Sequence, residues 1–238
     1  MQHYFGTIAA GKAILEGGEA HHLVNVRRGM PGEQIEVSDN GEIYLCVIES
    51  VDPLQINVLS KIEEKREPDI DLTIAFGVLK GDHNDLIVLK GTELGASNFV
   101  PFTCERSVVI PQEKEDNRLR RLRKIALEGA AQCRRAALPN VTPYKTLHEV
   151  LEMKADVKIF AYEEMAGASD TLYDLAKTIG KRKSVLVVIG PEGGFTHEEA
   201  RLALDYDFVF ASLGRRILRA ETAALYCAAI LCAASEGE

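Results

Sequence analysis

The chain has 238 residues, 46% of them hydrophobic and 27% charged, with a formal net charge of −8. That balance is ordinary for a globular protein of one large domain, or of a small and a medium one. The longest apolar stretch, residues 223–234, is too short to span a bilayer, and the first five residues lack the charged and apolar regions of a secretory leader; a cytoplasmic protein with no membrane partner is expected. The five cysteines are an odd number with no Cys-x-x-Cys pair, and read as reduced, buried fillers with neither a disulfide framework nor a zinc site. Taken globally the charge argues against a nucleic-acid binder, yet binding depends on local potential and the positive charge here is clustered.

From residue 8 to 60 the pattern is of short strands between turn signals. Residues 34–37 and 43–48 flank Asp39-Asn40-Gly41 and predict a hairpin, and residues 54–59 add a strand. These segments suggest a small β-barrel over residues 1–68. Residues 61–71, charged and interrupted by a proline, read as the linker to a second domain over residues 71–238. Within the first domain, His21-His22-Leu23-Val24-Asn25-Val26-Arg27-Arg28 reads as a short helix or a strand end with exposed charge.

The second domain opens on an apolar strand, residues 72–79, then Lys80-Gly81-Asp82 and a helix over residues 84–94 that Gly95 terminates. Gly91 within that helix costs about 1 kcal/mol relative to alanine. Residues 99–102 form the next strand. Residues 118–135 keep a helical period through Leu119, Leu122, Ile125 and Ala126, with arginines and a lysine opposite, a pattern that also suits a plain solvated face. A strand end at residues 158–164 precedes Gly167, Ser169 and Asp170 and a helix from Thr171. The alternation of strands and helices fits a parallel α/β sheet.

Residues 185–189 are an unbroken β-branched run, the mark of a strand buried on both faces. It stops at Gly190, Pro191, Glu192, Gly193 and Gly194, where the glycines let the backbone turn at positive φ and come close to a ligand. Thr196 and Glu199 form a capping box that starts a helix. A second apolar run, residues 208–211, ends in Ser212, Leu213 and Gly214, followed by Arg215 to Thr222 and an alanine-rich helix over residues 223–234. Two glycine loops at the ends of buried strands point to a crevice at the carboxyl edge of an open sheet, although ordinary strand-to-helix turns have the same spacing. Phosphate binding is disfavoured, since neither a Walker A nor a G-x-G-x-x-G pattern is present.

The order of residues is more specific than their spacing. IGPEGGFTHEE followed by SLGRRILRAETAALYCAAIL closely resembles the RsmE family of ribosomal RNA methyltransferases, in the SPOUT superfamily. Lys90 to Gly95 and Glu105-Arg106-Ser107 resemble family segments too. Arg28 and Gly32 fall on a family arginine and glycine, whereas Arg27, Gly29, Gly91, Ala131 and Arg134 depart from the pattern. The resemblance implies a PUA-like β-barrel that contacts RNA, followed by a trefoil-knotted domain that binds S-adenosylmethionine (SAM), in a homodimer that methylates N3 of a uridine in small-subunit ribosomal RNA, free or in the ribosomal subunit. It places the cofactor at Gly190 to Gly194, Ser212, Leu213, Gly214, Ile217, Leu218, Arg219 and Ala220, and RNA at Arg28, Lys90, Arg106 and Arg135. Arg219 is a candidate for stabilising the uridine anion, since it cannot act as a base at neutral pH. Glu221 is a candidate base or simply a first-turn carboxylate, and catalysis by positioning alone is open. Another RNA position or atom, or a non-catalytic RNA-binding module on this fold, are the rival readings.

Overall fold

The computed structural model describes residues 1–111, 117–162, 164 and 171–237. Gly167, Ser169 and Asp170 lie outside them. The chain forms two compact units, residues 1–67 with 130–138, and residues 68–129 with 139–238. The second domain expected over residues 71–238 is therefore interrupted, with nine of its residues belonging to the first unit.

The first unit is built on a six-stranded sheet in the order β1-β4-β5-β6-β3-β2. The expected hairpin pairs β4 (Gln34–Asp39) with β5 (Glu42–Val51), Asp39 opposite Glu42. Its two-residue turn holds Asn40 at φ 49° and Gly41 at φ 82°, the left-handed pair whose twist matches that of the flanking strands. β6 (Leu54–Ile62) runs further than its apolar pattern predicted, into the charged stretch read as linker. β2 (Thr7–Ala9) and β3 (Lys12–Ile14) form a second hairpin. β1 (Gln2–Phe5), which the sequence reading passed over, pairs with β4 in parallel. The His21–Arg28 stretch is helical as far as Val26: α1 (Gly17–His21) runs on into a wide turn over His22–Val26, and Arg28 leaves it at φ 54°.

β4 should alternate between core and solvent, but Glu36 and Ser38 are as buried as Ile35 and Val37. The reason is the segment 130–138, whose groups engage the face that would otherwise meet water. Glu36 accepts from His3 Nδ1 (3.1 Å), Arg66 Nη1 (2.8 Å) and Arg134 Nε (3.1 Å) and Nη2. Ser38 Oγ donates to the Arg135 carbonyl at 3.4 Å. Glu67 takes Arg135 Nε (3.0 Å) and the amides of Ala136 (2.9 Å) and Ala137 (3.1 Å). Burial alone would raise the Glu36 pKa from 4.5, but the hydrogen bonds from Arg66, Arg134 and His3 outweigh it and hold it at about 2.

The second unit has a seven-stranded sheet, and all its pairings are parallel: β10-β8-β7-β12-β11-β13, with β9 (Asn140–Val141) also on β8. Here β7 is Asp71–Gly77, β8 Asn98–Thr103, β10 Lys145–Thr146, β11 Val157–Ala161, β12 Ser184–Ile189 and β13 Val209–Ala211. As the unbroken apolar run predicted, β12 is buried on both faces. Val185, Val187 and Ile189 join one core with α2 (His83–Glu93), α3 (Asn117–Gln132), α5 (Leu172–Thr178) and α7 (Ala220–Glu236). Leu186 and Val188 join the other with α4 (Leu147–Leu151) and α6 (His197–Asp205). α3 ends three residues before the predicted limit, and Arg134 beyond it adopts φ 62°. Gly91 has a packing reason: a Cβ there would lie 2.7 Å from the Phe99 ring. Gly95 closes α2 at φ 99°, as expected of a C′ glycine. Cys46, Cys227 and Cys232 are buried, but Cys104 and Cys133 are only half-buried.

The Glu36 cluster makes the first unit sensitive to acid. Burial pushes the His3 imidazole below its ordinary 6.5 against the pull of Glu36, so the unfolded chain takes up more protons than the folded one below about that pH. Glu36 adds its own loss between 4.5 and about 2. Stability should be full at pH 7 and fall in both windows on acidification. Glu36→Gln leaves Arg134 without its anion and Arg66 with Glu64 alone. It should cost about 3 kcal/mol at pH 7 and flatten the decline below pH 4.5, as read by urea unfolding of both proteins at pH 7, 5 and 3.

Candidate functional site

A cavity of about 610 Å³ opens where β11, β12 and β13 end, within the size range of small-molecule sites. The loop after β12 forms one wall. Its glycines differ from one another, whereas the sequence predicts positive φ and close ligand approach for all three. Only Gly194 has positive φ, at 66°, its amide donating to the Pro191 carbonyl at 2.9 Å. A Cβ on Gly190 would come 3.0 Å from the Phe195 ring, and one on Gly193 would come 2.9 Å from the Arg106 carbonyl oxygen. The loop also rests on the adjacent strand, because Gly77 at the end of β7 leaves room for Pro191 where a Cβ would meet its ring and nitrogen at 2.5 Å.

Three further contacts hold this wall. Thr196 and Glu199 form the predicted capping box at the start of α6. The second oxygen of the Glu199 carboxylate accepts the Glu105 amide at 2.8 Å, and Arg106 Nη1 donates to the Gly193 carbonyl at 3.3 Å. Cys104 N donates to Ser107 Oγ at 2.8 Å. The Glu105-Arg106-Ser107 motif thus braces the glycine loop. From the other side, Glu192 Oε1 accepts the Lys80 amide at 2.9 Å.

The opposite wall is the segment between β13 and α7. Leu213, Gly214, Ile217, Leu218, Arg219, Ala220 and Glu221 line the cavity together with Gly190, Pro191, Glu192, Gly193 and Gly194. Gly214 has φ 112° with open space where a Cβ would stand. Of the residues expected at the cofactor, Ser212 alone is not on the wall. It is buried behind it, its carbonyl accepting the Leu172 amide at 2.9 Å and its hydroxyl accepting the Gly214 amide at 3.2 Å. Arg219 is exposed at the N-cap of α7 and makes no ion pair with the described residues. Lining residues that the sequence reading did not assign to the site are His83, Ala161, Tyr162, Ile189, Arg216 and Ala223. His83 Nδ1 stands 3.5 Å from Glu221 Oε1, and the Tyr162 hydroxyl 3.2 Å from His197 Nδ1.

The residues expected to meet RNA are differently placed. Arg28 is exposed at φ 54° in the first unit. Lys90 is half-exposed on α2 and holds Glu93 at 2.8 Å. Arg106 is exposed, with one nitrogen on the glycine loop. Arg135 must be corrected: its side chain is 6% exposed and committed to Glu67, which leaves no surface for a phosphate.

The cavity fits a ligand that is part apolar and carries charge of both signs. Ile189, Leu213, Ile217 and Leu218 supply apolar surface, Gly214 leaves backbone uncovered, Glu192 and Glu221 supply negative charge, and Arg216 and Arg219 supply positive charge. Residues 65–232 match the RNA methyltransferase domain family, and residues 15–59 match the RNA methyltransferase PUA domain. Over 240 residues the chain is 38% identical to ribosomal RNA small subunit methyltransferase E of Bacillus subtilis, covering 95% of this chain and 94% of that protein. The chain belongs to this RNA methyltransferase family. A solved family structure, ribosomal RNA small subunit methyltransferase E of Neisseria gonorrhoeae bound to S-adenosyl methionine, superposes with a TM-score of 0.85 at 26% identity, covering 96% of this chain and 95% of that one. A methyltransferase of Legionella pneumophila in complex with SAM superposes with a TM-score of 0.84 at 29% identity, covering 98% and 96%. The fold is accordingly a PUA-like domain followed by an α/β domain with a parallel sheet. Among the described residues no helix is long and apolar enough to cross a membrane.

The contact of Gly77 with Pro191 can be tested directly. Gly77→Ala places a methyl group against main chain that cannot rotate away. It should lower the unfolding free energy by about 1–3 kcal/mol and shift the amide resonances of residues 190–194, as read by denaturant unfolding and by NMR of the same sample.

Proposed function

We propose that the chain is a SAM-dependent methyltransferase that methylates N3 of a uridine in small-subunit ribosomal RNA, in the cytoplasm and as a homodimer. The observation that carries this reading is the cavity at the carboxyl ends of β12 and β13, walled by two glycine loops, in a chain whose relatives hold SAM. The trefoil-knotted SPOUT path and the choice of uridine N3 rest on the resemblance of residues 189–222 to the family. Exposed Val108, Ile110 and Ile217 supply apolar surface for a second subunit.

Bound SAM would supply a methyl group on a cationic sulfur, an already activated donor. Gly190 to Gly194, Leu213 to Leu218 and Ala220 would hold it, backbone groups and apolar side chains together reading the adenosine half. Ser212 contributes by fixing the Gly214 turn. Arg219 meets the acceptor: its charge is unpaired among the described residues, and it stabilises the negative charge that develops as the ring N–H is lost. Arg28 and Lys90 carry the RNA contacts, with Arg106 serving both the phosphate backbone and the loop. The net charge of −8 is compatible with this because phosphates respond to local potential.

Calorimetry should detect SAM binding by the wild-type protein and none by folded Gly214→Val, because φ 112° is closed to a branched residue. Nucleoside analysis of small-subunit ribosomal RNA from cells lacking the gene should show one N3-methyluridine fewer. A methyl group missing from another atom or nucleotide would replace the uridine assignment, and an unchanged nucleoside profile with SAM bound would leave only a binding module. Arg219→Ala should slow single-turnover methyl transfer about 100-fold while SAM affinity changes by less than threefold. A wild-type rate removes the electrostatic role.

A further inference from the structure

His83 is the first residue of α2, and its backbone is pinned where it meets the cavity. Asn84 Oδ1 accepts the Leu79 amide at 2.9 Å while Asn84 Nδ2 donates to the Leu79 carbonyl at 2.8 Å, closing the turn before the helix. The adjacent Lys80 amide is held by Glu192 from the glycine loop. The imidazole lines the cavity, with its side chain 44% exposed and Nδ1 3.5 Å from Glu221 Oε1, whose side chain is 13% exposed. Nε2 has no hydrogen-bond partner among the described residues.

The charged groups around it are otherwise occupied or of the wrong kind. Asp82 at the N-cap of α2 and Asp85 in its first turn face Arg121 of α3, at 3.7 and 2.6 Å. Glu192 is engaged by the Lys80 amide. Arg216 and Arg219 line the cavity as permanent cations and cannot accept a proton at neutral pH. Tyr162 is held by His197. A histidine backed by a carboxylate is the arrangement that makes an imidazole a general base, the carboxylate orienting one nitrogen and stabilising the cation formed at the other.

We infer that His83 is the general base of methyl transfer, taking the ring N–H proton of the acceptor on Nε2, with Glu221 as the positioning residue behind it. The inference rests on the proposed methyltransferase reading. The balance is simple: the S–CH3 bond of the sulfonium breaks, an N–CH3 bond forms, and the sulfur leaves as a neutral thioether. The proton becomes the second N–H of an imidazolium whose charge Glu221 offsets, and it passes to water after the product departs. Glu221 thus takes a role between the two open to it, neither base nor mere helix-end carboxylate.

Two measurements test this on the full-length protein. In the ligand-free protein at fixed pH, the His83 ring resonances, assigned by their loss in His83→Gln, should shift in Glu221→Gln, because the carboxylate stands 3.5 Å from Nδ1. Unmoved resonances overturn the pairing. In single turnover with saturating SAM and small-subunit ribosomal RNA, His83→Gln should lose about 100-fold at neutral pH and regain rate as alkali removes the proton instead, with SAM affinity within twofold of wild type. Glu221→Gln should move the rising limb of the pH profile to lower pH. A His83→Gln rate near wild type, or one lowered equally at every pH, overturns the base assignment while leaving the methyltransferase reading intact. Failure of the wild-type protein to bind SAM overturns both.

Discussion

The site depends on one close approach of main chain to main chain. β7 and β12 run in parallel at the middle of the sheet, and Gly77 at the end of one admits Pro191 just beyond the end of the other. No side chain could do this, because any Cβ at position 77 would occupy the proline ring's place. The loop that follows is therefore seated before a single polar contact is counted. The Lys80–Glu192 and Arg106–Gly193 hydrogen bonds then hold it from two directions. A cavity wall fixed this way needs little rearrangement to receive a ligand, which lowers the entropic cost of binding.

Glu199 shows how few residues carry this arrangement. One carboxylate oxygen completes the capping box of α6 and the other accepts the Glu105 amide. The same side chain thus begins the helix behind the glycine loop and anchors the segment in front of it. Ser212 does similar double service on the facing wall, where its carbonyl receives the first amide of α5 and its hydroxyl shapes the Gly214 turn.

Periodicity and punctuation made much of this legible. The run at residues 185–189 announced a strand buried on both faces, the Asn40-Gly41 turn announced its hairpin, and Thr196 with Glu199 announced α6. The Thr146-Leu147-His148-Glu149 capping box carried the same signal for α4 and went unread. What local pattern could not disclose were contacts between distant segments. His83 and Tyr162 sit in unremarkable sequence and reach the cavity only because their strands and helices converge there. Arg135 looked like a surface cation on a basic helix, yet α3 stops short of it and Glu67 claims it. The burial of Glu36 broke the alternation of β4 for the same reason: its partners lie 30 and 98 residues away in sequence.

That last arrangement bears on how the protein is made. Glu36 and Glu67 are synthesised early, but Arg134, Arg135 and the amides of Ala136 and Ala137 that satisfy them come some seventy residues after the first unit's own strands. At about 5–20 residues per second, the emerging sheet waits several seconds with its charged face open to water. The first unit's strands thus leave the ribosome before the second unit but cannot finish alone, and their completion is tied to the emergence of the middle of the chain.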